Sequence, residues 1–269
     1  MVSASKLTST CELKARLKDG KAVMGIWSIL PSSSIVEIFG LGGLDFVILD
    51  MEHGVYDLGS LENCIRSLEG VGCAPLVRVP GLNASAVQWA LDLGAHGTVV
   101  PQVAGLDEVQ KAVRITKFPP IGSRGFNPFT RAGGYSPLSP TGGNRLSNDF
   151  GISAVIVENE ESLSDLEQIC LVETLDVIYI GVYDLSVSLG LEGNTLHPKI
   201  IQIIEESVKV ITDSGKAAGL MCRNSGEIER ALALGYTFLV YGVDSLLIHS
   251  AVTDVVESFE NLVGKKNDS

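Results

Sequence analysis

The sequence predicts a single α/β domain folded as a closed (β/α)₈ TIM barrel. About eight apolar runs alternate with amphipathic segments along the chain, a pattern typical of repeated βα units. The length of 269 residues fits this fold, because one such barrel takes about 250 residues. Glycine is abundant, at 29 residues, and aromatic residues make up only 6%. This composition favours many tight turns over an aromatic-rich β-sandwich.

The predicted strands are nearly continuous apolar runs, as expected of parallel strands that are buried on both faces. In chain order they are VMGIWSI (23–29), DFVILDM (45–51), APLVRV (74–79), GTVVPQ (97–102), SAVIVENE (153–160), DVIYIGV (176–182), AAGLMC (217–222) and TFLVYGV (237–243). Several of the helical segments between them open on a Ser or Asn cap and close on Gly. A doubly wound open sheet is the alternative architecture, but no GxGxxG or GxxxxGK[ST] motif indicates a nucleotide site.

We predict one domain over residues 1–269, with an N-terminal helix over about 5–19 and a frayed tail over 264–269. One stretch, 119–149, is irregular and rich in Pro, Gly, Ser and Asn. A loop of this length is usually functional or disordered. Because it follows the fourth helix, it should enter the fifth strand from the N-terminal side of the barrel. It could instead fold over an edge of the barrel or contact a neighbouring subunit.

Charge and hydropathy exclude several classes of partner. The net charge of −12 argues against a nucleic-acid partner, because phosphate binding needs clustered Lys and Arg. No apolar run approaches the roughly 18 residues that a membrane span needs. The first 20 residues lack the pattern of a signal peptide, so we expect a cytoplasmic location. Five cysteines without a CxxC pair predict reduced thiols in the core.

Polar residues at the C-terminal ends of the predicted strands are candidates for an active site, since barrel enzymes gather their chemistry there. In chain order they are Trp27, Ser28, Asp50, Glu52, His53, Arg78, Gln102, Glu158, Glu160, Tyr183, Asp184, Cys222, Arg223 and Asp244.

The densest group follows the second strand, in ILDMEHGVYD (48–57). Asp50, Glu52 and His53 there could be metal ligands, an acid/base set or a solvated strand end. His53 is the only one of the four histidines at a predicted strand end. Its imidazole could titrate near neutrality and serve as acid or base.

Arg78 lies inside the apolar run APLVRV. An arginine is rarely buried unless it is paired, and its fork suits bidentate capture of a carboxylate or phosphate. A purely structural arginine, tied to a core Asp, would show the same pattern. Glu158 and Asp184 end adjacent predicted strands, so their carboxylates could converge on one hard cation such as Mg²⁺ or Mn²⁺.

Seven motifs occur in the order in which one enzyme family carries them. They are LDFVILDMEHGVYD, PLVRVP, ALDLGAHGTVVPQV, FPPIGSRG, VIVENEESL, IYIGVYDLSVSLG and ALALGYTFLVYGVDSLL. From about residue 20 to 255 the sequence resembles the HpcH/HpaI aldolases, the metal-dependent (class II) pyruvate aldolases. The resemblance implies a phosphoenolpyruvate/pyruvate-type barrel that assembles as a trimer or a hexamer, with an exchanged C-terminal helix. It also implies cleavage of a 4-hydroxy-2-oxo acid to pyruvate and an aldehyde, and the reverse addition.

The resemblance also implies roles by position. Glu158 and Asp184 match the ligands of a divalent metal, Mg²⁺ or Mn²⁺ with Co²⁺ as a further candidate. Arg78 matches the arginine that holds the 2-oxo acid and its enolate, and His53 matches the general acid/base. Asp50 and Asp92 match carboxylates that orient the histidine, and Glu52 matches an acid near the metal's waters. The turn that binds the substrate carboxylate is matched by Gly181, Val182, Tyr183 and Asp184. Trp27 and Gln102 match pocket residues.

The sequence departs from the family pattern around the position of the aldehyde. Ile156 replaces a glutamine, Val182 and Tyr183 replace a proline and a small residue, and the loop after GSRG reads FNPFTRAGGYS. These changes leave open an oxaloacetate-using lyase or synthase as the alternative enzyme. Two further hypotheses remain open, namely a non-catalytic barrel that binds a 2-oxo acid and a phosphate-binding isomerase barrel.

Overall fold

The computed structural model describes residues 12–138 and 146–267 and shows a closed barrel of parallel strands. Each strand pairs with the next, and the last pairs with the first, so the predicted (β/α)₈ barrel is confirmed. The strands are β1 (Val23–Ser28), β2 (Phe46–Asp50), β3 (Ala74–Arg78), β4 (Gly97–Val100), β5 (Ile152–Val157), β6 (Val177–Ile180), β7 (Ala217–Cys222) and β8 (Phe238–Val243).

The helices surround the barrel, and most of the longer ones begin at a side-chain cap. They are α1 (Glu12–Lys18), α2 (Ser33–Leu41), α3 (Leu58–Gly70), α4 (Ala84–Asp92), α5 (Gly105–Arg114), α6 (Glu160–Ser164), α7 (Leu166–Ile169), α8 (Val182–Ser188), α9 (Pro198–Asp213), α10 (Ser225–Leu234) and α11 (Asp244–Asn267). Asp57, Asn83 and Asn224, for example, each accept a backbone N–H of the first turn. The predicted N-terminal helix is described from Glu12 onward, and its earlier part lies outside the described residues.

Large side chains fill the barrel interior because small residues face them. Phe46 and Phe238 stack with ring centroids 4.2 Å apart. Gly25 makes room for this stack, since a Cβ there would lie 2.3 Å from the Phe46 ring. The opposite faces of the strands pack against the helices in a second, larger apolar cluster.

The alternation of side chains along each strand decides which polar residues enter the barrel. Successive residues of a strand point to opposite faces, and Ile48, Leu76 and Ile156 belong to the interior cluster. Asp50 and Arg78 stand two residues after Ile48 and Leu76 and end their strands, and Glu158 directly follows β5. They therefore form the uppermost interior layer.

The irregular stretch packs beneath the barrel at its N-terminal end, along the last turns of α3 and α4. Arg124 Nη2 donates to Asp92 Oδ1 over 2.9 Å, and the Gly125 N–H donates to Gln88 Oε1 over 3.0 Å. Arg131 Nη1 donates to the Leu93 carbonyl over 3.0 Å. The described part of this loop thus lies on the side from which it was expected to enter β5.

The C-terminal helix α11 leaves the barrel with much of its apolar surface exposed. Its exposed apolar side chains are Leu246, Ile248, Val252, Val255, Val256, Phe259, Leu262 and Val263. The helix continues to Asn267, and the frayed tail expected over 264–269 stays a prediction. In the described ranges no helix combines the length and hydropathy of a membrane span. The four described cysteines are buried and free, while Cys11 lies outside the described residues.

Asp244 joins the start of α11 to the loop after β1. Its carboxylate is fully buried and accepts hydrogen bonds from Ser28 Oγ over 2.8 Å and from the Leu30 N–H over 3.0 Å. The N–H groups of Ile29 and Ser245 also donate to it, over 3.2 Å and 2.7 Å. One side chain therefore holds two segments that border the mouth of the barrel.

Replacing Asp244 by Asn should lower the free energy of unfolding by about 2–4 kcal/mol, because an amide removes the charge that several buried N–H and O–H donors share. Denaturant unfolding measures this change. Asp254 is exposed on the same helix, so Asp254→Asn is the matched control and should change stability by less than about 0.5 kcal/mol. Equal effects of the two substitutions would contradict the assignment.

Candidate active site

The site is built on a buried ion pair between β2 and β3. Arg78 Nε donates to Asp50 Oδ1 over 2.8 Å, and Arg78 Nη2 donates to Asp50 Oδ2 over 2.5 Å. The Asp50 side chain is 1% exposed and that of Arg78 is 13% exposed. Burial acts to lower the pKa of Arg78, but the hydrogen bonds and charge of Asp50, with Glu52 and Glu158, outweigh it and raise this pKa. The guanidinium is therefore charged and fixed.

Asp50 also shapes the turn that follows β2. Its Oδ1 accepts the backbone N–H of Glu52 over 2.9 Å and that of His53 over 3.3 Å. Asp50 thus positions His53 through the backbone, whereas the sequence predicted that it orients the imidazole. The three polar residues of ILDMEHGVYD are held as one unit.

Glu52 bridges Arg78 and the loop after β4. Its Oε2 lies 3.0 Å from Arg78 Nη1, and its Oε1 accepts Gln102 Nε2 over 2.6 Å. Asp50 accepts hydrogen bonds from two of the five N–H donors of Arg78, and Glu52 adds an ion pair at Nη1. The guanidinium is thus held between two carboxylates.

Aromatic residues form the floor beneath Arg78. Its guanidinium lies 4.5 Å from the centroid of the Trp27 ring, within cation–π distance. Trp27 Nε1 donates to the Tyr179 hydroxyl over 3.4 Å, and the two rings meet edge to face at 5.7 Å. The sequence did not single out Tyr179, although its position in β6 directs its side chain into the barrel interior.

Glu158 is a buried carboxyl at the end of β5, with 6% of its surface exposed. Its Oε1 accepts the backbone N–H of Gln102 over 2.5 Å. Burial, and then the charges of Asp184 and Glu52, raise the pKa of Glu158 to about 7, against the opposing effects of the Gln102 N–H and Arg78. Negative charge is thus concentrated at this point of the mouth.

Gln102 adopts a left-handed backbone conformation, with φ of 56°. This conformation is uncommon for a residue with a side chain and often accompanies a functional site. Here it lets the main chain contact Glu158 while the side chain contacts Glu52. The sequence predicted Gln102 as a pocket residue and gave no signal for the backbone contact.

Gly181 allows the turn after β6 to approach Glu158. A Cβ at this position would lie 2.7 Å from the Glu158 Cβ and 2.8 Å from its Oε2. The next residues begin α8, where Tyr183 and Asp184 are exposed at the mouth. Arg223 Nη1 donates to the Tyr183 hydroxyl over 3.4 Å.

A cleft of about 330 Å³ opens above these residues. His53 stands at its rim with 65% of its side chain exposed, and its Nε2 lies 4.0 Å from Glu52 Oε2. The lining residues are Trp27, Ile29, Asp50, His53, Arg78, Ile156, Glu158, Tyr179, Ile180, Gly181, Val182, Tyr183, Asp184, Met221, Val243 and Ser245. Most of the residues predicted from the sequence therefore border one cleft.

Asp92 lies apart from this cleft, whereas Glu52 and Gln102, which do not line it either, contact Arg78 and Glu158 at its floor. Asp92 ends α4, which descends from the mouth of the barrel to its N-terminal end, and there its carboxylate accepts Arg124 Nη2 and Gln88 Nε2. His53 follows the C-terminal end of β2. Within one chain the two residues lie at opposite ends of the barrel.

The sequence and the fold are matched by known proteins. The model of one family, HpcH/HpaI aldolase/citrate lyase, matches residues 23–251. The chain belongs to the HpcH/HpaI aldolase/citrate lyase family. The resemblance inferred from the seven motifs is thereby confirmed.

Curated relatives cover most of the chain. It is 34% identical over 242 residues to the hydroxypyruvate/pyruvate aldolase of Roseobacter denitrificans, and the match spans 87% of this chain and 91% of the relative. It is 32% identical over 249 residues to the 4-hydroxy-2-oxo-heptane-1,7-dioate aldolase of Shigella flexneri, with 92% of each chain covered. An HpcH/HpaI family crystal structure from Burkholderia cenocepacia J2315 superposes with a TM-score of 0.88 at 26% identity, over 93% of this chain and 100% of the other. The family and these relatives support a carbon–carbon lyase activity.

Replacing Gly181 by Ala should lower the free energy of unfolding by about 1–3 kcal/mol, because the new methyl group overlaps Glu158. Gly70→Ala is the matched control, since nothing lies within 4 Å of a Cβ at that helical position. Denaturant unfolding compares the two variants, and a crystal structure of the first should show the Glu158 carboxyl displaced. An undisplaced carboxyl with unchanged stability would refute the close approach.

Proposed function

We propose that the protein is a divalent-metal-dependent aldolase that cleaves a 4-hydroxy-2-oxo acid to pyruvate and an aldehyde, and catalyses the reverse addition. The observation that carries this proposal is the fixed Arg78 guanidinium beside the buried Glu158 carboxyl at the floor of one cleft. It places a positive group and a metal-binding carboxylate around the same small volume, as a pyruvate enolate requires.

The residues of the cleft fit a hard divalent cation. The negative charge of Asp184 repels that of Glu158 and so helps to raise the pKa of Glu158. A cation between the two carboxylates would relieve this repulsion. Mg²⁺ and Mn²⁺ accept one or two carboxylates with waters in the other positions. Among the described residues no cluster of three or more acidic, His or Cys side chains forms a richer site. Such a cation would supply stabilisation of the negative charge that develops on the 2-oxo acid.

Arg78 binds the 2-oxo acid through its guanidinium, which borders the cleft. Because Asp50 and Glu52 fix the guanidinium in advance, little reorganisation is needed when charge develops on the keto oxygen. The N–H groups of Val182, Tyr183 and Asp184, in the first turn of α8, receive the substrate carboxylate, while the Gly181 N–H donates to the Val157 carbonyl.

His53 removes the proton of the 4-hydroxyl group from the rim of the cleft. The electron pair of the C3–C4 bond then passes into the enolate of pyruvate, the aldehyde leaves, and C3 takes up a proton. Exposure of the imidazole leaves it free to exchange this proton with water. Trp27, with the apolar residues Ile29 and Met221, borders the space for the departing aldehyde.

We also propose a trimer or hexamer with exchanged C-terminal helices, as the family resemblance implies, and the exposed apolar side chains of α11 support an oligomer. A second copy would also be needed for Asp92 to orient His53, because one chain keeps them at opposite ends. Sedimentation velocity measures the assembly. The cytoplasmic location stays a prediction from the sequence.

An oxaloacetate-using lyase or synthase is the second candidate. The observation that favours it is Tyr183, whose ring and hydroxyl stand at the mouth where the aldehyde would leave. A screen of pyruvate and oxaloacetate as donors against a panel of aldehydes, with each metal in turn, separates the two. Addition of pyruvate to an aldehyde supports the aldolase, and products formed only from oxaloacetate support the second candidate.

Chelation should abolish pyruvate release from a 4-hydroxy-2-oxo acid, and Mg²⁺ or Mn²⁺ should restore it. Glu158→Gln and Asp184→Asn should each lower metal-restored activity by at least about 100-fold, because each removes a charged ligand. Glu160→Gln is the control, since Glu160 is an exposed carboxylate next to the site. Full activity of both ligand variants after chelation would overturn the metal assignment.

Arg78→Lys should lower both aldol cleavage and oxaloacetate decarboxylation by about 10²–10³-fold, because a lysine keeps the charge and loses the fork. A lysine at position 78 keeps a cation beside Asp50, whereas a neutral residue would leave this buried carboxylate unpaired. Both rates are measured by pyruvate production. Arg66→Lys, at an exposed helical ion pair, is the control. Normal decarboxylation by Arg78→Lys would mean that Arg78 is structural only.

A further inference from the structure

A small cavity lies at the N-terminal end of the barrel, far from the cleft. It is enclosed by the turn after α5 and by the start of β5, and Thr116, Lys117, Arg124, Gly151 and Ser153 contribute to its lining. Its volume is about 10 Å³, enough for a single group of about the size of water.

Two buried cations face this cavity. Lys117 is 3% exposed and Arg124 is 7% exposed. The N–H of Arg124 donates to the Lys117 carbonyl over 2.8 Å, so a tight turn brings the two residues together. Gly122 permits this turn, since a Cβ there would lie 2.3 Å from the Lys117 carbonyl oxygen.

The donors of these cations are incompletely used. Arg124 Nη2 donates to Asp92, but its Nε is buried and has no hydrogen-bond acceptor within the described part of the chain. Lys117 Nζ donates to the Asn148 carbonyl over 3.1 Å, and an ammonium group carries three donors. A buried charged donor without an acceptor costs free energy. A hydrogen-bond acceptor bound in the cavity would remove this cost.

The charges around the cavity sum to a positive excess. Lys14, Lys117 and Arg124 are buried. The carboxylates that pair with this group are Asp176, which binds Lys14 over 3.0 Å, and Asp92, which binds Arg124. Among the residues that the structure describes, three buried cations therefore face two largely buried carboxylates.

The pKa of Lys117 agrees with this excess. Burial lowers it to about 8, and repulsion by Lys14 and Arg124 adds to the effect against the attraction of Asp176 and Asp149. Asp149 is exposed, so water screens much of its charge. Lys117 is still mostly protonated at neutral pH, and its charge needs a partner.

We propose that this cavity binds one small monovalent inorganic anion, of the size of chloride, between Lys117 Nζ and Arg124 Nε. A water molecule would satisfy the donors but leave the excess charge, and the small volume favours a monatomic anion over phosphate or a carboxylate. The anion would tie the turn after α5 to β5. Within one chain this site lies at the opposite end of the barrel from the aldolase cleft.

Thermal unfolding in chloride and in gluconate salts at equal ionic strength tests the proposal. Chloride should raise the Tm of the wild-type protein by about 2–4 °C, because it binds only the folded state. Lys117→Met should lose this chloride-dependent rise, while Lys209→Met, at an exposed lysine of α9, should keep it. An equal Tm in both salts, or an unchanged rise in Lys117→Met, overturns the proposal.

Crystals of the wild-type protein grown in bromide provide a second test that needs no variant. An anomalous peak between Lys117 Nζ and Arg124 Nε is expected. A density map without a peak in the cavity, or with peaks only on the surface, contradicts the anion site even if Lys117→Met fails to fold.

Discussion

The buried pair of Arg78 and Asp50 is the contact on which the rest of the mouth depends. Taking two charges out of water is costly unless each is fully paired, and here the cost is met by two hydrogen bonds between the side chains and two more from the turn after β2. The pair fixes Glu52, Glu52 fixes Gln102, and Gln102 in turn contacts Glu158. Four strands are thereby joined through polar contacts at their C-terminal ends.

This chain of contacts explains why like charges tolerate one another in the cleft. Glu52 and Glu158 both face Arg78, which lowers the cost of keeping these two carboxylates close to each other. The barrel below supplies rigidity, because its interior is filled by stacked aromatic and branched side chains. A rigid floor and a charged upper layer together favour a ligand that brings both a cation and oxygen atoms.

Much of this arrangement follows from the sequence, and the rest depends on distances along the chain that no pattern encodes. Apolar runs predicted the strands, and their ends predicted Asp50, Arg78 and Glu158, because strand parity alone places such residues in the barrel. Arg78 is tied to a core carboxylate and also borders the cleft, and its capture of a substrate stays a prediction. The role of Asp92 in orienting His53 also stays a prediction. Within one chain the two residues lie at opposite ends of the barrel, since a motif gives order in sequence and not which end of a helix a residue occupies. No sequence pattern predicted the positive φ of Gln102, since the residue that its N–H contacts, Glu158, lies 56 positions away.

The joint at Asp244 has a mechanical consequence. The same carboxylate carries the first turn of α11 and the backbone of Ile29, which lines the cleft. A helix of 24 residues is a lever about 36 Å long, and it pivots on this point. A tilt of the helix would therefore pull on the backbone of Ile29, so the direction of α11 and the width of the mouth are coupled through one side chain.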